Sequence, residues 1–330
     1  MNKIGPLIGL ALVFGLFSII GPDNFSGVRN IETIARQAAI VGIASLGMTM
    51  VIILGGIDLS VGSIVALSSV LIATVLGKLT DVHAGQDMFD VSSTFGVALL
   101  AAGCGVLIGA FCGLINGLII TRLRVVPFIV TLGTLLIVRG SAKGVAHEQK
   151  VNAPISWLND LLAPRAAGQI GSVLPLGVWI LIILLVAVSI FLRYTVVGRH
   201  IYAIGSNEQT ARLCGVAVNK VKILVYTLSA GFAGLAGVMQ FARLSVGDPT
   251  VAVGLELDVI AAVVIGGGSL SGGEGTVVGS VIGALIMTVI RAGCSQMGLP
   301  NWVQEIIAGI IIVVAVAIDH LRHSRSSTTV

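Results

Sequence analysis

The sequence predicts an all-α polytopic membrane protein of about ten transmembrane helices, some interrupted or re-entrant, with both termini in the cytoplasm. Composition is the first observation: 56% of the 330 residues are hydrophobic and only 10% charged, against about 25% charged in a soluble domain. Mean hydropathy is +1.06. The second is recurrence, because apolar runs near the ~20 residues that cross a bilayer follow one another along the whole chain. The third is the 43 glycines, a residue more frequent in membrane helices than in soluble ones. Residues 1–330 read as a single transmembrane domain with one long polar loop, 193–222, inside it.

The segments can be taken in order. The first, 4–20, follows MNK and precedes GPDNF; without a small-x-small cleavage pattern it reads as an uncleaved span. The second, 36–54, has no ionisable residue from Ala38 to Leu54, and the third, 60–77, has none from Ile64 to Gly77. The fourth, 95–120, repeats glycine every four residues at Gly105, Gly109, Gly113 and Gly117. Such spacing lets helix backbones approach closely, which supplies packing where lipid removes any hydrophobic drive between helices. The fifth, 127–146, contains TLGTLLIVRG, Thr131 to Gly140. Its Arg139 reads either as snorkelling to the outer interface or as an ion pair with an outer-loop carboxylate. The sixth and seventh, 171–192 and 219–242, flank the polar loop. The eighth, 256–270, is short, and the ninth, 275–293, repeats the glycine spacing at Gly275, Gly279 and Gly283. The two glycine-striped helices are expected near the centre of the bundle. The tenth is 302–320. Two halves of five would be inverted relative to each other, a common transporter plan, although no repeat longer than a few residues is visible.

Lys and Arg in the loops set orientation. With the N-terminus inside, ten of them fall on the cytoplasmic side, among them Arg122, Arg124 and the 193–222 cluster, four (Arg29, Lys78, Lys150 and Arg165) fall in outer loops, and Arg36, Arg139, Lys143, Arg243 and Arg291 at outer segment edges weaken the bias. Several function classes are excluded on the same residues. The net charge of +4 is dispersed in ones and twos, so nothing resembles a nucleic-acid face. Cys104, Cys112, Cys214 and Cys294 lack metal spacing and read as small apolar packing groups. His83, His147, His200, His320 and His323 are scattered through loops and termini, which is no catalytic constellation. No GxxxxGK[ST] occurs, so the chain has no nucleotide loop of its own. A stand-alone secondary transporter would carry ionisable residues well inside the bundle for ion coupling, whereas here they cluster at segment ends.

Three stretches break the apolar pattern. In GGIDLSVGS, Gly55 and Gly56 weaken a helix end, while Asp58 and Ser60 can cap the next helix. Non-helical backbone at membrane depth survives only where protein or water satisfies it, so this is a helix–break–helix element, read as simple capping or as a candidate for substrate contact, gating or subunit contact. In IGGGSLSGGEGTVVG, Ile265 to Gly279, the glycines from Gly266 and Gly267 onward cannot form a helix interior and predict a re-entrant turn. In the polar loop, Ser206 or Asn207 can cap a short helix over Glu208–Leu213 that stops at Gly215. Ala211 lies on its small apolar side and Arg212 faces another way. That helix suits a groove in a partner, and it also suits an ordinary solvated loop.

These stretches, with TLGTLLIVRG between them, occur in an order that resembles the ribose-type sugar permeases of bacterial ABC importers, over roughly residues 30 to 320. A more distant similarity to branched-chain amino-acid permeases is present. The resemblance implies a homodimer in the inner membrane, a cytoplasmic sugar ABC ATPase that alone binds ATP and Mg, and a periplasmic sugar-binding protein. It implies no cofactor in this chain and no nucleic-acid partner. It also implies that Ser206, Asn207, Glu208, Ala211, Arg212 and Gly215 belong to the helix that seats in the ATPase. Ser206 departs from the family's usual glycine, and Gly268 from its usual Thr or Val. With specificity residing in the binding protein, the path needs few contacts; Asn116, Thr131, Thr134 and Gln240 are its polar candidates.

Overall fold

A computed structural model describes residues 4–83, 91–164 and 174–327, with side chains described at 5–80, 95–164 and 174–317. The described residues form thirteen helices and one two-residue antiparallel strand pair. The all-α expectation holds. Every predicted segment coincides with a helix, but among the described residues seven helices are long and apolar enough to cross a membrane. Residues 84–90 and 165–173 lie outside the described residues.

The chain divides into two compact units. The first holds the described residues up to Ile57, then Ile182–Val221, then those from Leu257. It contains α1 (Ile4–Ile20), α2 (Val28–Ile53), α8 (Val196–Ser206), α9 (Glu208–Leu213), α12 (Val277–Gln296) and α13 (Asn301–Ser327). It also holds nearly all of α11 (Leu255–Ile265) and most of α7 (Leu176–Tyr194). Helix α12 is its centre, packed on α1, α2 and α13. Phe17, Phe25, Ile34, Met287 and Ile290 fill the space between them, with the Phe17 and Phe25 rings 5.7 Å apart.

Helix α2 begins eight residues before the predicted start. Its first turns carry Arg29, Glu32 and Arg36, which lower local hydropathy without opposing a helix. Tertiary bonds fix that end: Asn30 donates to the Phe25 carbonyl at 2.6 Å and accepts from the Gln296 amide. The eighth predicted segment is the clearest difference. Helix α11 has only eleven residues, so at 1.5 Å per residue it spans about half of a ~30 Å hydrocarbon core.

The second unit holds Asp58–Leu181 and Lys222–Glu256. It contains α3 (Val61–His83), α4 (Val91–Leu123), α5 (Pro127–Val145), the short α6 (Trp157–Asp160) and most of α10 (Val218–Leu244). Strands β1 (Val151–Asn152) and β2 (Val246–Gly247) pair antiparallel, Val151 opposite Gly247. Helix α3 is central here, packed on α4, α5 and both strands, and its Ser68 donates to the Gly234 carbonyl of α10 at 2.9 Å.

The α4 glycines do what their spacing predicts on one face. A Cβ built on Gly117 would lie 2.8 Å from the Ile223 Cα, and Gly109 and Gly113 meet the α10 backbone as closely. The central position expected for α4 is not found: 33% of its most apolar window is buried, against 83% for α12. Leu107 and Phe111 on its other face are exposed, as suits a lipid-facing surface.

Candidate functional site

Two groups of predicted residues come together, one in each unit. In the first unit the polar loop is a helix pair rather than a loop. Helix α8 opens at Thr195, whose hydroxyl accepts the Gly198 N–H at 3.0 Å. The sequence reading missed α8, although Ile201 and Ile204 are buried at the three-residue spacing of a helical face. Asn207, in extended conformation, ends α8 and begins α9 at once. Its N–H bonds the Ala203 carbonyl, and its side chain accepts the Thr210 N–H at 2.9 Å. Asn207 is therefore the cap and Ser206 the last residue of α8. Helix α9 covers the predicted Glu208–Leu213. Its stop is a Schellman motif: Gly215, at φ +83°, bonds the Arg212 carbonyl and Val216 bonds the Ala211 carbonyl. Ala211 is buried, Leu213 is 88% exposed, and Glu208 and Arg212 pair across one turn at 3.1 Å.

Helix α8 is anchored to both chain breaks of this unit. Tyr202 donates to the Gly275 carbonyl at 2.9 Å. Gly205 lies so close to the Ile53 carbonyl and the Gly273 amide that no Cβ fits there. Gly273 N–H in turn bonds the Ile53 carbonyl at 2.8 Å, closing a triangle of α2 end, α8 and glycine turn. The two breaks stop their helices alike. Gly55 (φ +84°) and Gly56 bond back to Ile52 and Val51; Gly267 (φ +90°) and Gly268 bond back to Val264 and Val263. Gly266, against Gly279 with no room for a Cβ, lets α11 and α12 meet. Helix α12 restarts at Thr276, whose hydroxyl accepts the Gly279 N–H at 3.1 Å.

In the second unit, Asp58 is fully buried. Its Oδ1 accepts the Ser60 N–H at 2.9 Å and the Ser60 hydroxyl at 2.5 Å, so Asp58 holds one backbone N–H at the helix start while Ser60, expected as a second cap, gives its hydroxyl to Asp58. The Ser60 hydroxyl accepts from Asn116 of α4 at 3.1 Å, and the Asn116 carbonyl accepts from Thr134 of α5 at 2.6 Å. Two path candidates are thus joined to the break in one buried chain of hydrogen bonds. Thr131, fully buried one turn away, bonds the Phe128 carbonyl at 3.3 Å. Gln240 is buried on α10 outside this chain.

Arg139 is half-buried, with the Glu256 carboxylate within electrostatic reach. It donates to the carbonyls of Pro249, Val251 and Ala252, the shortest contact being 2.6 Å to Val251. The loop it holds also contains Asp248. Burial works against ionisation of that carboxyl, yet the Thr250 hydroxyl and amide and the Lys150 ammonium outweigh it and hold it below the ordinary carboxylate range. The sequence reading also missed Asp258 and Arg291 of the first unit, which pair through two contacts of 2.6 and 2.7 Å. Opposite charges inside two apolar helices are the signal that could have found them, since ionisable groups at membrane depth pair. Among the described residues no group of His, Cys, Asp and Glu could hold a metal ion.

Known proteins give these features a family. Residues 30–316 match the family described as Branched-chain amino acid transport system / permease component. The ribose import permease protein RbsC of Escherichia coli strain K12 is 38% identical over 95% of this chain and 92% of its own length. The L-arabinose ABC transporter permease protein AraH of Azospirillum brasilense is 35% identical over 98% and 89%. The fructose import permease protein FrcC of Rhizobium meliloti is 37% identical over 95% and 84%. No solved structure matches the chain. A family match over most of the chain, relatives aligned along nearly all of it and seven membrane-length helices lead to one conclusion: the chain belongs to the branched-chain amino acid transport system / permease component family, as a multi-pass inner-membrane transport permease.

Proposed function

We propose that this chain is the membrane-spanning subunit of an ATP-driven ABC importer for a monosaccharide, ribose or a similar pentose or hexose. The observation that carries the reading is the near-full-length similarity to permeases named for ribose, arabinose and fructose. Its partners are a second copy of the chain, a cytoplasmic ATPase that binds ATP and Mg, and a periplasmic sugar-binding protein. The chain itself performs no catalysis.

The mechanism is alternating access. ATP binding closes the ATPase and displaces α9, whose Asn207 cap and Gly215 stop keep it a compact unit. Because the exposed Glu208–Arg212 pair adds only about 0.3–0.5 kcal/mol to a helix, its charges are better explained by a partner than by stability. Displacement of α9 passes through Asn207 to α8, and through Tyr202 and Gly205 to the glycine turn and the Ile53 end of α2. The Gly55–Gly56 and Gly266–Gly267 breaks are where the chain can yield. Nucleotide shifts the equilibrium only by its differential affinity for the two states.

Ten crossings in two inverted halves of five, with both termini cytoplasmic, complete the proposal. The two glycine breaks are alike in two local features. GGIDLS and GGGSLS share four of six residues in register. Ser60 N–H bonds the side chain two residues back, Asp58, and Ser271 N–H does the same to Ser269. The test is uptake of labelled sugars by cells carrying the complete system. Uptake of a monosaccharide that branched-chain amino acids do not compete supports the reading; uptake of leucine or isoleucine instead would assign the chain to the substrate in its family's description.

A further inference from the structure

We propose that Asp58 is a buried proton-binding site, its side chain a neutral carboxylic acid with the proton on Oδ2 and with Oδ1 as the acceptor. The two oxygens are placed differently. Oδ1 receives both donors of Ser60, at 2.9 and 2.5 Å, and so behaves as the carbonyl oxygen of an acid. Oδ2 is equally buried and has no hydrogen-bond partner among the described residues. Among the described residues no Lys, Arg or His pairs with Asp58, while the other buried carboxylates, Asp248 and Asp258, each have a cation.

Among the described residues the elements packed around the site show no countercharge either. The titratable groups within electrostatic reach are Cys112 on α4 and Tyr226 on α10, which lose protons near ~8.5 and ~10 when unperturbed and are neutral at pH 7. A carboxylate sealed from water and left without a cation takes up a proton instead of staying charged. Protonation removes the charge that nothing beside Oδ2 offsets.

The consequence is that the break is held by hydrogen bonding and not by charge. Asn, which keeps a carbonyl at Oδ1 and a donor at the other position, should replace Asp58.

Infrared spectroscopy of the purified chain in lipid at neutral pH tests this without reference to the transported solute, so it stands or falls separately from the importer reading. The expected result is a protonated-carboxyl carbonyl band present in the wild type and absent from Asp58→Asn. If Asp58→Asn does not fold, Asp58→Glu serves the same comparison, and the band should shift in frequency. A wild-type spectrum from which these substitutions remove or move no such band overturns the proposal.

Discussion

Asn207 terminates one helix and starts another with a single extended residue, so it concentrates much of the proposed coupling in one side chain. Removing such a cap costs about 1 kcal/mol, a large fraction of the stability of a six-residue helix. Asn207→Ala should therefore weaken co-purification of the ATPase and slow uptake, and Asn207→Asp should restore both; equal recovery of ATPase in all three proteins would deny the cap this role. Thr134 is a second such residue. Thr134→Val strips the Asn116 carbonyl of its donor, and an unsatisfied buried acceptor costs about 1–3 kcal/mol. The melting temperature should fall, and Thr134→Ser should recover it. Asp248 gives a pH signature. Its folded pKa lies below the ordinary value of about 3.9, so its stabilisation is complete above that value and disappears as pH falls through the depressed one. Acid unfolding of Asp248→Asn should be correspondingly less steep than that of the wild type.

At the scale of elements, what the sequence made legible follows from how local each signal is. The α9 helix was readable because its cap, its charges and its glycine stop are all written within nine residues. The GGIDLS break was readable for the same reason. Helix α8 was not, because what holds it is tertiary: Tyr202 on Gly275 and Gly205 on Ile53. The start of α2 was hidden by charges that a hydropathy window penalises and that Asn30 and Gln296 tolerate. The link from Ser60 through Asn116 to Thr134 joins residues 56 and 18 positions apart, and no spacing rule reaches that far. One glycine comparison tests the α8 junction. Gly205→Ala would drive a methyl into the Ile53 carbonyl, an overpacking cost of about 1–3 kcal/mol, and should abolish uptake. Gly140→Ala meets nothing within 4 Å and should leave uptake intact.

At the scale of the molecule, seven membrane-length helices are observed among the described residues and ten crossings are proposed. The difference lies in α1, α11 and α13, which are short as apolar helices or end beyond their apolar part. Cys214, exposed at the end of α9, offers a check on sidedness. A membrane-impermeant maleimide should label it in inside-out vesicles and not in sealed right-side-out ones; the reverse pattern would invert the topology. The central claim is that this chain moves sugar only when an ATPase drives it through α9. Reconstitution into proteoliposomes with the ATPase and the binding protein, followed by labelled ribose uptake, tests it most directly. The account predicts uptake that requires ATP and both partners and is lost on replacing Glu208 and Arg212 together by Ala, whereas robust uptake by this chain alone, without ATP, would contradict it.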